Sequence, residues 1–265
     1  MAVTTTRREP TLERLRLSVG EALVFIDLAS GDLITTGLRC SLVQRGGGRL
    51  LGRSVVTPSG LHVWPDLPER WRQPQEGVCA DVLVRDELQR FQPLNLPWPL
   101  PVRPVGQILS DRVLGGMRMM RVGLLSAPTR RPPPGVCSVY GLLTWQGDGE
   151  PAAWARVCLI DGEGRVHEGA SDAEGRLALH LPPPGPGGVG ATALQVFADP
   201  ALGLASMGLG APDVLAFADQ PAVVALADVE GQAAFVPGVV AAHEPLILAS
   251  HGLPPAHREL RLVPV

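Results

Sequence analysis

SDAEGRLALHLPPP, residues 171–184, sets a serine, an aspartate, a glutamate and a histidine within ten positions. The stretch reads either as a compact catalytic cluster or as a polar turn between strands. Asp172-Ala173-Glu174-Gly175 has the composition of a four-residue turn. Asp suits its first position because the carboxylate accepts backbone N–H bonds, and Gly suits its last. Beyond Gly175 the chain alternates: Leu177, Leu179 and Leu181 point one way, Arg176, Ala178 and His180 the other. An extended strand carries His180 more than about 15 Å from Asp172. Nucleophile and base must touch, so Ser171, Asp172 and His180 cannot form a triad within this segment. Asp172 and Gly175 are therefore structural turn residues, followed by a strand and a proline stop. A calcium loop is the other sharp option, with Asp161, Glu163 and Glu168 nearby. The spacing lacks the alternating oxygen ligands and late Glu that such a loop requires.

The same punctuation extends in both directions. GVCSVYGLLTW, WARVCLID, ATALQVFADPA, HEPLILASHG and RELRLVPV read as strands of the second half, and PDVLAFADQPAVVALADVEG is open between a short helix and an edge excursion. In the first half ALVFID, TTGLRCSLVQ, RLLGRSVVT, GLHVWPDLP, GVCADVLVRD and RFQPLNLPW are short apolar runs bounded by Gly or Pro. Turn signals every ~8–12 residues between such runs mark an all-β sandwich or barrel. Met117, Met119 and Met120 could line a helix, but Gly115, Gly116 and Gly123 oppose one, so this region reads as a loop leading into a strand. TRRPPPG (129–135) is stiff and polar. The expected architecture is all-β: two tandem antiparallel β-sandwiches, residues 1–128 and 136–265, joined by a Pro-rich linker at 129–135. The halves also repeat: a strand with an outward Arg (Arg39, Arg156) leads through a Gly-ended turn (Gly60, Gly175) to an alternating strand.

Composition removes several functions. The 265 residues carry a net charge of −3 with no lysine, and the arginines form no single patch, which opposes nucleic-acid binding. Aromatics make up 4%, too few for a base-stacking surface. Cys40, Cys79, Cys137 and Cys158 form no CxxC pair; Cys40 and Cys137 lie in phase with apolar neighbours and read as core. The six histidines make no HxH, HExxH or HxxxH spacing, and neither a GxSxG elbow nor a phosphate loop is present. No catalytic residue, metal or cofactor is expected. The N-terminal residues lack a signal-peptide core and no run reaches a membrane span, so a cytoplasmic protein without a membrane segment is the expectation.

Residues Pro151, Ala152 and Ala155, then Ser171, Asp172, Gly175 and Arg176, follow a pattern of strand, SDA.GR turn and alternating strand. This segment resembles the carboxypeptidase-regulatory-like (transthyretin-like) β-sandwich modules. The resemblance implies the fold, and no catalytic residue comes with it. FIDLASGD, LLSAPTRRPPPG and the C-terminal run ending in LRLVPV are similar to accessory structural proteins of contractile, phage-tail-like injection particles. That second resemblance implies a non-enzymatic structural or adaptor subunit docking onto other protein subunits of a large assembly. A small-molecule ligand is not expected. The apolar, proline-rich stretches 93–105 and 185–215 are the expected docking segments, with Trp98, Pro99, Leu100, Met117 and Met119 as candidate contact residues. Two rivals stand beside this reading. A carbohydrate- or surface-binding module would need exposed aromatics in a row, and Trp64, Trp98, Trp145 and Trp154 read as core lids or as a partner-binding patch. An enzyme would need a site assembled from loop residues such as Asp172, His180 and Asp199.

Overall fold

The computed structural model describes residues 21–46, 48–65, 67, 80–99, 104–114, 117–182, 189–202, 210–230, 233–240, 245–253 and 258–264. The chain folds almost entirely into strands. The first sandwich packs the sheet β4-β5-β1-β9-β8 against β3-β2-β6-β7. Its strands are β1 (Glu21–Asp27), β2 (Leu38–Gln44), β3 (Leu50–Arg53), β4 (Val55–Val56), β5 (His62–Val63), β6 (Ala80–Asp86), β7 (Leu94–Trp98), β8 (Leu109–Leu114) and β9 (Met117–Leu124). Alternation does the sorting. In β2, Cys40 and Leu42 are buried while Arg39 and Gln44 are exposed. Each fully buried Leu or Val contributes about 1.5–3 kcal/mol.

The second sandwich is one continuous path, β12-β11-β14-β15-β18-β10-β13, with β16 on β14 and β17 on β10. Its elements are β10 (Cys137–Trp145), β11 (Arg156–Asp161), β12 (Val166–Ala170), β13 (Arg176–Leu181), β14 (Val189–Phe197), α1 (Val214–Ala218), β15 (Ala222–Ala225), β16 (Val239–Val240), β17 (Leu246–Leu248) and β18 (Leu260–Pro264).

The repeat is written in the hydrogen bonds. The first strand of each unit pairs antiparallel with the strand after the Gly-ended turn (β1 with β5, β10 with β13) and parallel with the last strand (β1 with β9, β10 with β18). The second strand of each pairs on both sides, β2 with β3 and β6, β11 with β12 and β14. Turn geometry matches residue by residue. Asp27 N donates to Asp32 O at 2.9 Å and Trp145 N to Glu150 O at 2.9 Å, with Gly31 at φ +79° and Gly149 at φ +74°. Thr57 Oγ1 accepts from Leu61 N at 3.0 Å as Asp172 Oδ1 accepts from Arg176 N at 2.9 Å. Gly60 and Gly175 close these two turns at φ +79° and +76°. The paired registers place Ser41, not Arg39, opposite Arg156 in the repeat, because Ser41 faces Arg53 as Arg156 faces Ala170.

Several expectations change. Each sandwich is mixed rather than purely antiparallel, since its first and last strands are parallel neighbours. The segment before Leu124 is a hairpin, β8–β9, with Leu109 to Leu114 registered on Val122 to Met117. The ambiguous run is a single helical turn, α1, capped by Asp213 Oδ1 on Leu215 N at 2.9 Å, followed by β15. Cys40, Cys137 and Cys158 are buried free thiols, whereas Cys79 lies outside the described residues.

Candidate functional site

The opening turn is held from within. Asp172 Oδ1 accepts from Glu174 N and Arg176 N, and Oδ2 takes the Arg176 guanidinium at 2.8 Å. Ser171 is fully buried, donating to Ala152 O at 2.6 Å and accepting from Ala155 N at 2.8 Å. At Gly175 a Cβ would stand 2.4 Å from the Leu143 carbonyl oxygen. Asp199 caps its own loop by accepting from Ala201 N at 2.9 Å. Asp172, His180 and Asp199 thus serve three separate local structures.

His180 finds a serine that lies 42 positions away in sequence. Register places Ser138 of β10 opposite His180 of β13, with Ser138 Oγ 3.0 Å from Nδ1. Both are buried, and Nε2 has no hydrogen-bond partner. Burial first, and the Arg130 charge next, push the His180 pKa down to about 4. Asp27, whose charge favours a protonated His180, is itself bound in bidentate fashion by Arg130, at 2.9 and 2.5 Å. Burial favours protonated Asp27, but Arg130 and the Ala29 N–H overcome this and hold its carboxyl below the ordinary range. Among the described residues no group of three metal-ligating side chains is present.

Asp27, Arg130 and His180 belong to a seam between the sandwiches. Arg130, from the segment read as a polar linker, is almost fully buried on Asp27 and stacks 4.8 Å from the Phe91 ring centroid. Gln92 Nε2 donates to Ala170 O at 3.4 Å. The turn before β8 sits on β12: Gln107 N donates to Glu168 Oε2 at 3.1 Å and Gln107 Nε2 to Val166 O at 2.7 Å. Gly106, at φ +51°, lies so close that a Cβ would meet Glu168 Oε1 at 2.6 Å. Trp154, Ala170, Leu202, Val214 and Phe217 complete the apolar core of the first sandwich. A cavity of about 10 Å³ between Gln92, Leu124, Trp154 and Phe217 has room for a single water.

Two of the expected docking features are consumed here. In the described parts of 185–215 the apolar residues Leu202, Ala211 and Val214 are buried and Asn95 N donates to Pro212 O at 3.1 Å, while Gly190, Gln195, Pro200, Ala201 and Gly210 are exposed. Trp98 is a core residue, packed edge-on to Trp64 at 5.4 Å, because β7 turns that side chain inward. Pro99 is exposed, Met119 is half-buried on β9, and Leu100 and the Met117 side chain lie outside the described residues. Trp64 and Trp154 are buried and Trp145 half-buried, so the described tryptophans form no exposed row.

The other notable surface is an edge. β3 and β4, nearly continuous in sequence, end their respective sheets. Leu50, Val55 and Val56 are 50%, 54% and 40% exposed there, flanked by exposed Arg49 and Arg53. RLLGRSVVT reads as a short apolar run bounded by Gly or Pro, but nothing in it distinguishes an edge strand from a central one.

No family model and no curated protein matches the chain. Among solved structures, the C-terminal fragment of the pilus adhesin SpaC from Lactobacillus rhamnosus GG is similar at 13% identity. The similarity covers 91% of this chain and 95% of that one, with a TM-score of 0.23. SpaC in its open conformation is similar at 9% identity over 93% of this chain and 31% of that one, with a TM-score of 0.22. Superpositions this loose carry neither fold nor function across. The carboxypeptidase-regulatory-like resemblance therefore rests on its motif residues, Pro151 to Arg176.

Proposed function

We propose that the chain is a non-enzymatic, surface-binding β module that recognises protein through the β3–β4 edge. The observation that carries this reading is the run Leu50, Val55 and Val56, exposed together on a strand edge, whereas Leu33 and Leu88, the unit's other exposed large apolar residues among those described, lie outside the named strands. Unpaired strand edges are natural templates for protein partners, and soluble proteins usually blunt them. The lack of an exposed tryptophan row among the described residues favours protein over glycan as ligand. The rigid seam makes the second sandwich a support that fixes the edge in orientation. A narrower form of the reading makes the chain an adaptor subunit of a contractile, tail-like particle.

A photo-crosslinking residue at position 55, with one at exposed Glu163 as control, tests this in the producing cells. Protein adducts specific to position 55 are expected, and electron microscopy of the adducted assembly decides the narrower form. Adducts indistinguishable from those at position 163, together with specific binding on a glycan array, would overturn it in favour of a carbohydrate-binding module.

A further inference from the structure

The duplication allows the occupant of the open edge to be inferred. Within the chain, one sandwich already docks on the other through unlike surfaces. The first sandwich offers the end where β1 and β9 finish: Asp27, Gln92, Leu124 and the Gly106–Gln107 turn. The second offers the corner at β12, with Glu168, Ala170 and Trp154. By the paired registers, Glu168 corresponds to Leu50 and Ala170 to Arg53, since Cys158 faces Glu168 as Val43 faces Leu50. The corner that is covered in the second sandwich is thus the β3–β4 corner of the first, where it stands open.

The surface that would cover it also has a counterpart. The Asp27–Asp32 turn of the docking end corresponds to the Trp145–Glu150 turn at the far end of the second sandwich. That end is acidic. Asp148 and Glu150 are exposed on the turn, the Arg261 guanidinium that donates to Trp145 O at 3.3 Å is paired with Glu259, and Gln146 Nε2 donates to Val229 O at 3.0 Å, next in sequence to exposed Glu230. The open corner carries Arg49 and Arg53 around its aliphatic residues. Among the described residues nothing covers either surface, and the two, one on each sandwich, are opposite in charge.

We propose that copies of this chain associate head to tail, the acidic end of the second sandwich seating on the β3–β4 corner of the next copy. This rests on the edge being a protein-binding surface and names its partner as a second copy. Such a contact is heterologous, so it propagates unless the rotation between copies closes a ring. Opposite charges around an apolar patch make it sensitive to ionic strength.

Sedimentation velocity of the full chain over a concentration series tests the proposal. The expected result is a mass that rises with concentration in about 0.02 M salt and falls back toward one chain in about 0.5 M. Arg53→Glu and Glu150→Arg should each abolish the rise, while circular dichroism shows an unchanged fold. Each variant retains one intact surface, and the two reversed charges complement each other, so an equimolar mixture should regain association that neither variant shows alone. A single chain at every concentration and salt overturns the proposal. So does a rise that Arg53→Glu leaves unchanged, a rise that Glu150→Arg leaves unchanged, which marks a symmetric edge-to-edge contact, or a mixture that stays monomeric. Crosslinks from position 55 that reach only other proteins would sink the self-association while leaving the binding function standing.

Discussion

The two corners at β12 and at β3–β4 occupy equivalent places in the strand pairing, although β2–β3 carries a register shift that β11–β12 lacks, and they differ most in what stands on them. At β12 the exposed-edge problem is solved inside the chain: Glu168 accepts from the Gln107 N–H, and Gly106 provides the close approach. At β3–β4 the equivalent positions carry Leu50 and Arg53, which suit an apolar and acidic visitor and offer no carboxylate to a turn N–H. The order of strand pairing is common to the two units, while the side chains at the two corners differ. Three pairs of substitutions probe how far the likeness runs.

The largest effect is expected at the paired turns. A Cβ at Gly175 meets a backbone oxygen at 2.4 Å, whereas one at Gly60 meets only side-chain atoms, Thr35 Cγ2 at 2.9 Å and Leu33 Cδ2 at 3.0 Å. Both sites have positive φ, where a β-branched residue costs about 1–3 kcal/mol. Gly175→Val adds a clash that cannot relax without moving β10, so about 3–5 kcal/mol is expected against about 1–3 for Gly60→Val. Urea unfolding measures both. Equal losses would show that the turns are interchangeable and the Leu143 contact is soft.

How much of this was legible beforehand follows from the range of each interaction. The Asp172–Gly175 turn is local, so composition and alternation reveal it, as they do most strands and the repeat. The Ser138–His180 pair spans 42 positions and exists only through the β10–β13 register. Arg130 reads as solvated beside three prolines, and only the packed seam makes it a buried cation. Trp98 beside its prolines reads either as a core lid or as a docking residue, and only the sheet direction decides for the core.

The next effect is acid sensitivity, which the two buried histidines should share. His62 and His180 each place Nδ1 3.0 Å from a serine hydroxyl, leave Nε2 unpartnered, and have pKa values pushed down to about 4. Burial is the main cause in both, and His180 also faces Arg130. Below its ordinary value of about 6.5 the unfolded imidazole binds a proton that the folded one refuses, so stability falls as pH drops from about 6.5 to about 4. Below about 4 this contribution levels off. The loss is about 3 kcal/mol per histidine. His180→Gln and His62→Gln should each flatten the curve of unfolding free energy against pH in that window. If His62→Gln flattens it and His180→Gln does not, Asp27 offsets the seam's positive charge well enough for His180 to protonate in place.

The smallest effect isolates the seam itself. Gly46 and Gly106 both hold positive φ, +77° and +51°, but a Cβ at Gly46 meets nothing within 4 Å, whereas one at Gly106 meets Glu168 Oε1 at 2.6 Å. Gly46→Ala therefore reports the backbone cost alone, about 1 kcal/mol. Gly106→Ala adds the displacement of Glu168, whose carboxylate is buried and held by Gln107 N, for a total of about 2 kcal/mol. The difference between the two variants is the cost of loosening one sandwich on the other. In calorimetry it should also broaden or split the unfolding transition for Gly106→Ala only, because weaker docking lets the two units melt separately. A single sharp transition in both variants would mean that Arg130 and the α1 contacts hold the sandwiches together without the Gly106 turn.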